Sequence, residues 1–217
     1  MPSTNPYDYA KKLITPAFSK AQFRVFVLGP GLKPNTKVKK PLHKPDSHDS
    51  VLQHARYLRF ATKKALELEG YSVDFGETKQ MLKFWQEHFG SPDSGSSELL
   101  QAEMISGAVI VYPSSVGSFC ELGMFAGTKH ISEKILAIVH KRYKNDNSFF
   151  RKALLEVLSQ DNGKYEFRDY SDHEACVEEA MKFAAGKYQS LLRDHGLIQR
   201  GDSLKQKYRG TAFQHKP

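Results

Sequence analysis

One carboxylate stands out by its surroundings. In Tyr112-Pro-Ser-Ser-Val-Gly-Ser-Phe-Cys-Glu-Leu-Gly-Met-Phe-Ala126, the apolar run Ala108-Val-Ile-Val-Tyr112 gives way to a serine- and glycine-containing turn. A helix start carrying Glu121 follows. The run reads as a buried parallel strand, so Glu121 falls at the carboxyl edge of a sheet, where open α/β folds keep their ligands. Substitution at a sugar anomeric carbon passes through an oxocarbenium-like state, which a carboxylate stabilises or attacks. Ser114, Ser115, Gly117 and Ser118 offer hydroxyl and backbone donors suited to phosphate or sugar oxygens. The same serines also suit helix caps. Ser118 and Glu121 have capping-box spacing, which would make Glu121 structural instead.

Two further segments belong with this motif. Gly29, Pro30 and Gly31 end a first apolar run and let the backbone approach a phosphate or sugar, or simply turn the chain. Glu77 directly follows a second strand and either reaches the same crevice or faces solvent. The Gly-x-Gly-x-x-Gly fingerprint and the phosphate-loop lysine motif do not occur. Ser115 lies in no Gly-x-Ser-x-Gly elbow, which argues against a serine hydrolase. His43, His48 and His54 are irregularly spaced, and no metal site is expected from them. His140 closes a strand and reads as a core or crevice residue. Lys141-Arg-Tyr-Lys144 reads as a phosphate contact or as ordinary surface.

The elements that must position these residues follow from periodicity. Strands are expected at 22–28, 71–75, 108–112, 134–140 and 165–170. Helices are expected at 50–70, capped by Asp49 or Ser50, and at 79–89, 99–105, 148–158 and 174–192. Residues 91–97 read as a turn-rich connector. Alternating strands and helices predict a Rossmann-like three-layer α/β/α sandwich with a mainly parallel five-stranded sheet. The expected organisation is an N-terminal arm (1–21), a domain at 22–192 with a loop insert at 31–49, and a basic tail at 193–217. The insert is a candidate lid. The tail is expected to order on a partner, and Tyr7, Tyr9 and Phe18 are expected to pack the arm on the domain or on a neighbouring subunit.

The 217 residues suffice for one domain with a core, and 40% hydrophobic content marks a globular chain. No apolar run approaches membrane-spanning length, the N-terminus lacks a signal-peptide pattern, and Cys120 and Cys176 form no disulfide framework. No membrane association and a cytoplasmic location are expected. Residues 1–24, 31–48 and 193–217 together carry +11 of formal charge, against +8 for the whole chain. The excess therefore sits on the ends and the insert, which suits a polyanion partner or solubility.

Over residues 22–190 the chain resembles the nucleoside 2-deoxyribosyltransferase-like family. The resemblance rests on Val25-Phe-Val-Leu-Gly-Pro30, Gly76-Glu77 and above all Pro113-Ser-Ser-Val-Gly-Ser-Phe-Cys-Glu-Leu-Gly-Met-Phe-Ala126. The last segment is most similar to effectors of bacterial retron antiphage defence. The resemblance implies that Glu121 is the catalytic carboxylate. The transferases carry an aspartate six residues earlier, where Ser115 stands here. That departure points away from base exchange and toward an N-glycosidase or ADP-ribosyl-type activity on a nucleotide, NAD as substrate, or nucleic acid, with no cofactor. The resemblance also implies a homo-oligomer, and a toxin held inactive by a reverse transcriptase and its multicopy single-stranded DNA. Some relatives carry a further C-terminal DNA-binding domain, which is not expected within these 217 residues. A salvage deoxyribosyltransferase and a non-catalytic nucleotide- or nucleic-acid-binding module are the alternatives.

Overall fold

The computed structural model describes residues 19–32, 38–76, 83, 86–87, 94–145, 147–148 and 150–209; side chains are described up to 194, those of 94 and 151 excepted. Five strands, β1 (Arg24–Leu28), β2 (Ser72–Asp74), β3 (Ser106–Val111), β4 (Ile135–His140) and β5 (Lys164–Arg168), form one parallel sheet in the order β2-β1-β3-β4-β5. The helices are α1 (His48–Leu68), α2 (Ser94–Leu100), α3 (Val116–Ala126), α4 (Lys129–Ser132), α5 (Leu155–Gln160) and α6 (His173–Arg209). The α2 helix runs into a π turn at Gln101–Ile105, and a second π turn, Phe150–Leu154, leads into α5. The architecture is the expected Rossmann-like α/β/α sandwich, and its sheet is wholly parallel.

The apolar runs become strands because both of their faces are buried. Val25, Val27, Ala108, Ile110, Leu136 and Ile138 pack with Val51, Ala55 and Leu58 of α1 and with Ala180 and Phe183 of α6. The alternate residues Phe26, Leu28, Val109, Val111, Ala137 and Val139 pack with Leu122 and Phe125 of α3 and with Leu155 and Leu158 of α5. Every residue of β4 is buried, and its residues alternate between the two cores. Gly70, at φ +88°, ends α1 in the left-handed conformation that glycine adopts without penalty.

Several local expectations shift. The α1 cap is Ser47, whose hydroxyl accepts the Ser50 N–H at 3.1 Å, rather than Asp49 or Ser50. Residues 94–97, expected as connector, are helical, because Ser97 and Glu98 are buried against the domain. Tyr112 and Asp169-Tyr170 lie just beyond the ends of their strands. The expected tail is helical through Arg209, an unbroken continuation of α6. The arm up to Phe18, Glu77 and most of the 79–89 segment lie outside the described residues.

Candidate active site

The strand order places a topological switch point between β1 and β3. The chain leaves β1 toward β2 on one side and leaves β3 toward β4 on the other, which opens a crevice at their carboxyl ends. The two ends are stitched together by the Tyr112 N–H, which donates to the Leu28 carbonyl at 3.0 Å. Gly29 follows at φ +149°, and a Cβ there would stand 2.9 Å from both Arg59 Cδ and the Tyr112 carbonyl oxygen. Glycine is required at this position by its dihedral angle and by its neighbours. Pro30 is buried and Gly31 exposed at the crevice rim.

Arg59 was not singled out by its sequence, yet it is fully buried beneath this turn. Its guanidinium donates to the carbonyls of Val27 (3.2 Å), Gly29 (3.1 Å) and Pro30 (2.7 Å), and lies 4.9 Å from the Phe75 ring centroid. One rigid cation thereby fixes the β1 turn. A signal existed: Arg59 occupies the apolar stripe of α1, four residues after Ala55 and three before Thr62, both buried. Glu98 was also missed. It is 8% exposed, and a Cβ on Gly76 would stand 2.3 Å from its Oε1, so this carboxylate sits against the carboxyl end of β2.

The serine turn after β3 sets the entry of α3. Ser115 is the N-cap, its hydroxyl accepting the Ser118 N–H at 3.2 Å. The Ser118 hydroxyl accepts the N–H groups of Ser114 (3.0 Å) and Ser115 (2.9 Å) and donates to the Ser115 carbonyl at 2.9 Å. The capping box is therefore Ser115 with Ser118. The alternative pairing of Ser118 with Glu121 does not form, because the Ser118 side chain faces back into the turn. The backbone donors of Ser114, Ser115 and Ser118 are engaged within the turn. Val116 and Gly117, the first two helical residues, are exposed.

Glu121 is half-buried on the next helical turn. Helical side chains lean toward the amino end, and Glu121 Oε1 lies 4.0 Å from where a Cβ on Gly117 would stand. Glycine at 117 leaves that side of the carboxylate uncovered. Nearby, Phe119 packs edge-on against Tyr143 (5.6 Å) and Phe150 (4.6 Å), which docks the turn after β4 onto the start of α3.

That turn is Lys141–Tyr143, with His140 as its cap. His140 is 2% exposed, and burial lowers its imidazole to about 4, with Asp169 opposing and Arg142, Lys141 and His54 adding to the effect. Lys141 pairs with Asp169. Burial pushes the Asp169 carboxyl up, but hydrogen bonds from Lys141 and from the Ser171 backbone and hydroxyl outweigh it and hold the group well below the usual carboxylate range. His54 anchors the insert: its Nε2 is 2.6 Å from the His43 carbonyl, while Nδ1 is 2.9 Å from His173 Nε2. Among the described residues no three metal-ligating side chains are grouped together.

An open cavity of about 410 Å³ lies at the opposite, amino edge of the sheet, lined by Arg24, Lys134 and Lys187 among others. Its cations are already engaged. Arg24 pairs with Asp74 at 3.1 Å, Lys134 donates to the Glu103 carbonyl at 2.8 Å, and Lys187 donates to the Glu133 carbonyl.

A parallel sheet with a capped, carboxylate-bearing helix at its switch point defines a Rossmann-like α/β protein. The family model described as the STM3845 retron effector protein matches residues 59–200, well over half of the chain, and the chain belongs to that family. It is also similar to a protein of retron Ec86 from Escherichia coli, whose name proposes it as a ribosyltransferase/DNA-binding protein. Identity is 32% over 69 residues, 32% of this chain. The match spans 22% of that relative's length, about a fifth. Among the described residues no helix is long and apolar enough to cross a membrane.

Proposed function

We propose that this retron effector is an N-glycosidase that cleaves the glycosidic bond of a nucleotide, of NAD or of nucleic acid, with Glu121 as its catalytic carboxylate. The observation that carries this reading is the place of Glu121, half-buried one helical turn behind the Ser115-capped start of α3 at the switch-point crevice. In the reaction the C–N bond breaks and its electron pair leaves with the base, which departs neutral when the base is nicotinamide. Glu121 stabilises the oxocarbenium-like sugar or closes on it as a glycosyl ester. Water then attacks the anomeric carbon, frees the carboxylate and loses a proton. Gly29, Pro30, Gly31, Ser114, Ser115, Gly117, Ser118 and Glu77 would line the sugar and phosphate side. The retron Ec86 relative supports glycosyl-transfer chemistry by its name.

The domain at 22–192 would carry the reaction. The 31–49 insert would act as a lid, and the basic segments 1–21 and 193–217 would meet a polyanionic partner, such as a retron reverse transcriptase with its single-stranded DNA. A homo-oligomer belongs to the same reading. The test is base release from NAD, nucleoside monophosphates and single-stranded DNA by wild type and Glu121→Gln. Release by wild type that the variant loses supports the glycosidase. Equal release by both would remove Glu121 from the chemistry. No release, with nucleotide or DNA binding retained, would favour a binding module.

A further inference from the structure

The open cavity of about 410 Å³ at the amino edge of the sheet has the volume of a small-molecule site, and the Glu121 crevice makes no use of it. Its floor lies where β1 and β3 slip register. Arg24 faces Ser106 and Val25 faces Ala108, which leaves Gly107 as the extra residue. Such bulges concentrate at sheet edges and beside binding sites. Only glycine fits there, since a Cβ would stand 2.3 Å from the Phe23 ring. One wall is the α6 face carrying Lys187, Ser190, Leu191 and Asp194, which recur at helical spacing.

Two half-buried ammonium groups reach this space, Lys134 from the start of β4 and Lys187 from α6. Lys134 Nζ donates to the carbonyls of Glu103 at 2.8 Å and Ala102 at 3.4 Å, and Lys187 Nζ donates to the Glu133 carbonyl. These carbonyls orient the ammonium groups but supply no opposing charge. An ammonium has three donors, so each keeps an N–H beyond these bonds. Burial lowers both groups below their ordinary value of 10.5. Glu133 opposes this at both lysines and Glu103 at Lys134, while Lys187 adds to the effect on Lys134 and Lys164 to that on Lys187. The two charges are therefore within mutual reach and incompletely compensated. Arg24 pairs with Asp74 at 3.1 Å, and Arg193 donates to the Ser190 hydroxyl at 3.1 Å, which brings a further cation to the rim. The carboxylates of Glu133 and Asp194 are exposed, where water and salt screen them.

We propose that this cavity binds a phosphate monoester, its dianion seated between Lys134 and Lys187 and accepting a hydrogen bond from the Ser190 hydroxyl. A phosphate monoester carries about −1.5 to −2 of charge near pH 7 and three acceptor oxygens, which match two ammonium groups and a hydroxyl. A phosphodiester carries one charge and matches them less well. Ile105 and Leu191, both half-buried in the lining, offer apolar surface to the organic part of the ligand. The site is independent of the Glu121 reading. It lies at the opposite edge of the sheet, so its ligand and a substrate at the crevice would bind without competing.

The test uses the full chain, labelled with ¹³C at the lysine Cε, and four probes: AMP, ribose 5-phosphate, adenosine, and a single-stranded oligodeoxynucleotide without terminal phosphates. AMP and ribose 5-phosphate are expected to shift the Lys134 and Lys187 resonances, and adenosine is not. Lys187→Gln is expected to weaken both phosphorylated probes about tenfold. Ser190→Glu touches neither lysine and sits on a half-exposed helix face; its carboxylate should weaken them at least as much. Glu121→Gln should leave this binding unchanged. No shift with any probe, equal shifts with adenosine, or unchanged affinity in both cavity variants would overturn the assignment. An oligonucleotide that shifts both lysines as strongly as AMP would replace the monoester by a nucleic-acid strand. Base release plays no part in the readout, so loss of the glycosidase reading would leave this result standing.

Discussion

Arg59 and Gly29 interlock. The Arg59 guanidinium donates to the Gly29 carbonyl at 3.1 Å, and a Cβ on Gly29 would stand 2.9 Å from Arg59 Cδ. Neither residue accommodates change alone. Arg59→Met would strand the buried carbonyls of Val27, Gly29 and Pro30, with an expected loss of about 3 kcal/mol. Gly29→Ala meets a strained dihedral and the immobile Tyr112 carbonyl, and should lose about 2 kcal/mol. Chemical denaturation of both variants checks these values. A near-neutral Gly29→Ala would mean that the β1 turn relaxes freely.

On the proposed function, capping and chemistry fall on different residues of the serine turn and α3. Ser115→Ala should lose about 1 kcal/mol, and Ser115→Gly only a few tenths. Ser118→Ala should lose more, because it strands the N–H of fully buried Ser114. Glu121→Gln, outside the box, should leave the unfolding midpoint near that of wild type while abolishing base release. A large stability loss in Glu121→Gln would restore a structural role for that residue.

Gly117 guards access to the carboxylate. A methyl group there makes only ordinary contact, 4.0 Å from Glu121 Oε1. Gly117→Ala is expected to fold normally and to gain up to about 1 kcal/mol from helix propensity. Gly117→Leu should fold but release base more slowly, since its side chain would cover the carboxylate. Unimpaired release by Gly117→Leu would mean that substrate approaches Glu121 from another side.

Acid should destabilise the protein earlier than its carboxylates alone would dictate. Burial lowers the imidazoles of both His140 and His173 to about 4, from an ordinary value of 6.5. As pH falls below about 6.5 the unfolded chain binds these protons first, so stability is full above that pH. It declines down to about 4 and then levels off for these two groups, each adding a slope of at most about 1.4 kcal/mol per pH unit. Asp169, held low by Lys141 and Ser171, extends the loss below the ordinary carboxylate range. Denaturant midpoints between pH 7 and 4 check the trend, and His173→Phe should flatten it.

The strands at β1, β3 and β4, the long α1 and the helix carrying Glu121 were legible in the sequence, because a continuous apolar run or a helical stripe is written locally. The Ser94–Ser97 helix and the extension of α6 to Arg209 were not, since serine, glycine and basic residues signal turns and tails when read without their neighbours. The strand, turn and helix around Glu121 were legible from the motif they form. Arg59 and Glu98 were not found, because charged residues in or beside an apolar stripe read as surface until burial is known.

By itself, then, the sequence determined the layer architecture and the carboxylate-bearing turn, through periodicity, glycine placement and side-chain type. Tertiary structure alone decided what surrounds that turn. The order β2-β1-β3-β4-β5 brings Gly29 against Tyr112 and opens the crevice between them. It also decided that Arg59 of α1 is buried beneath the β1 turn, donating to the carbonyls of Val27, Gly29 and Pro30. The physical reason is range: strand and helix signals arise among residues a few positions apart, whereas strand order, buried charge and hydrogen-bond partners depend on contacts between distant segments.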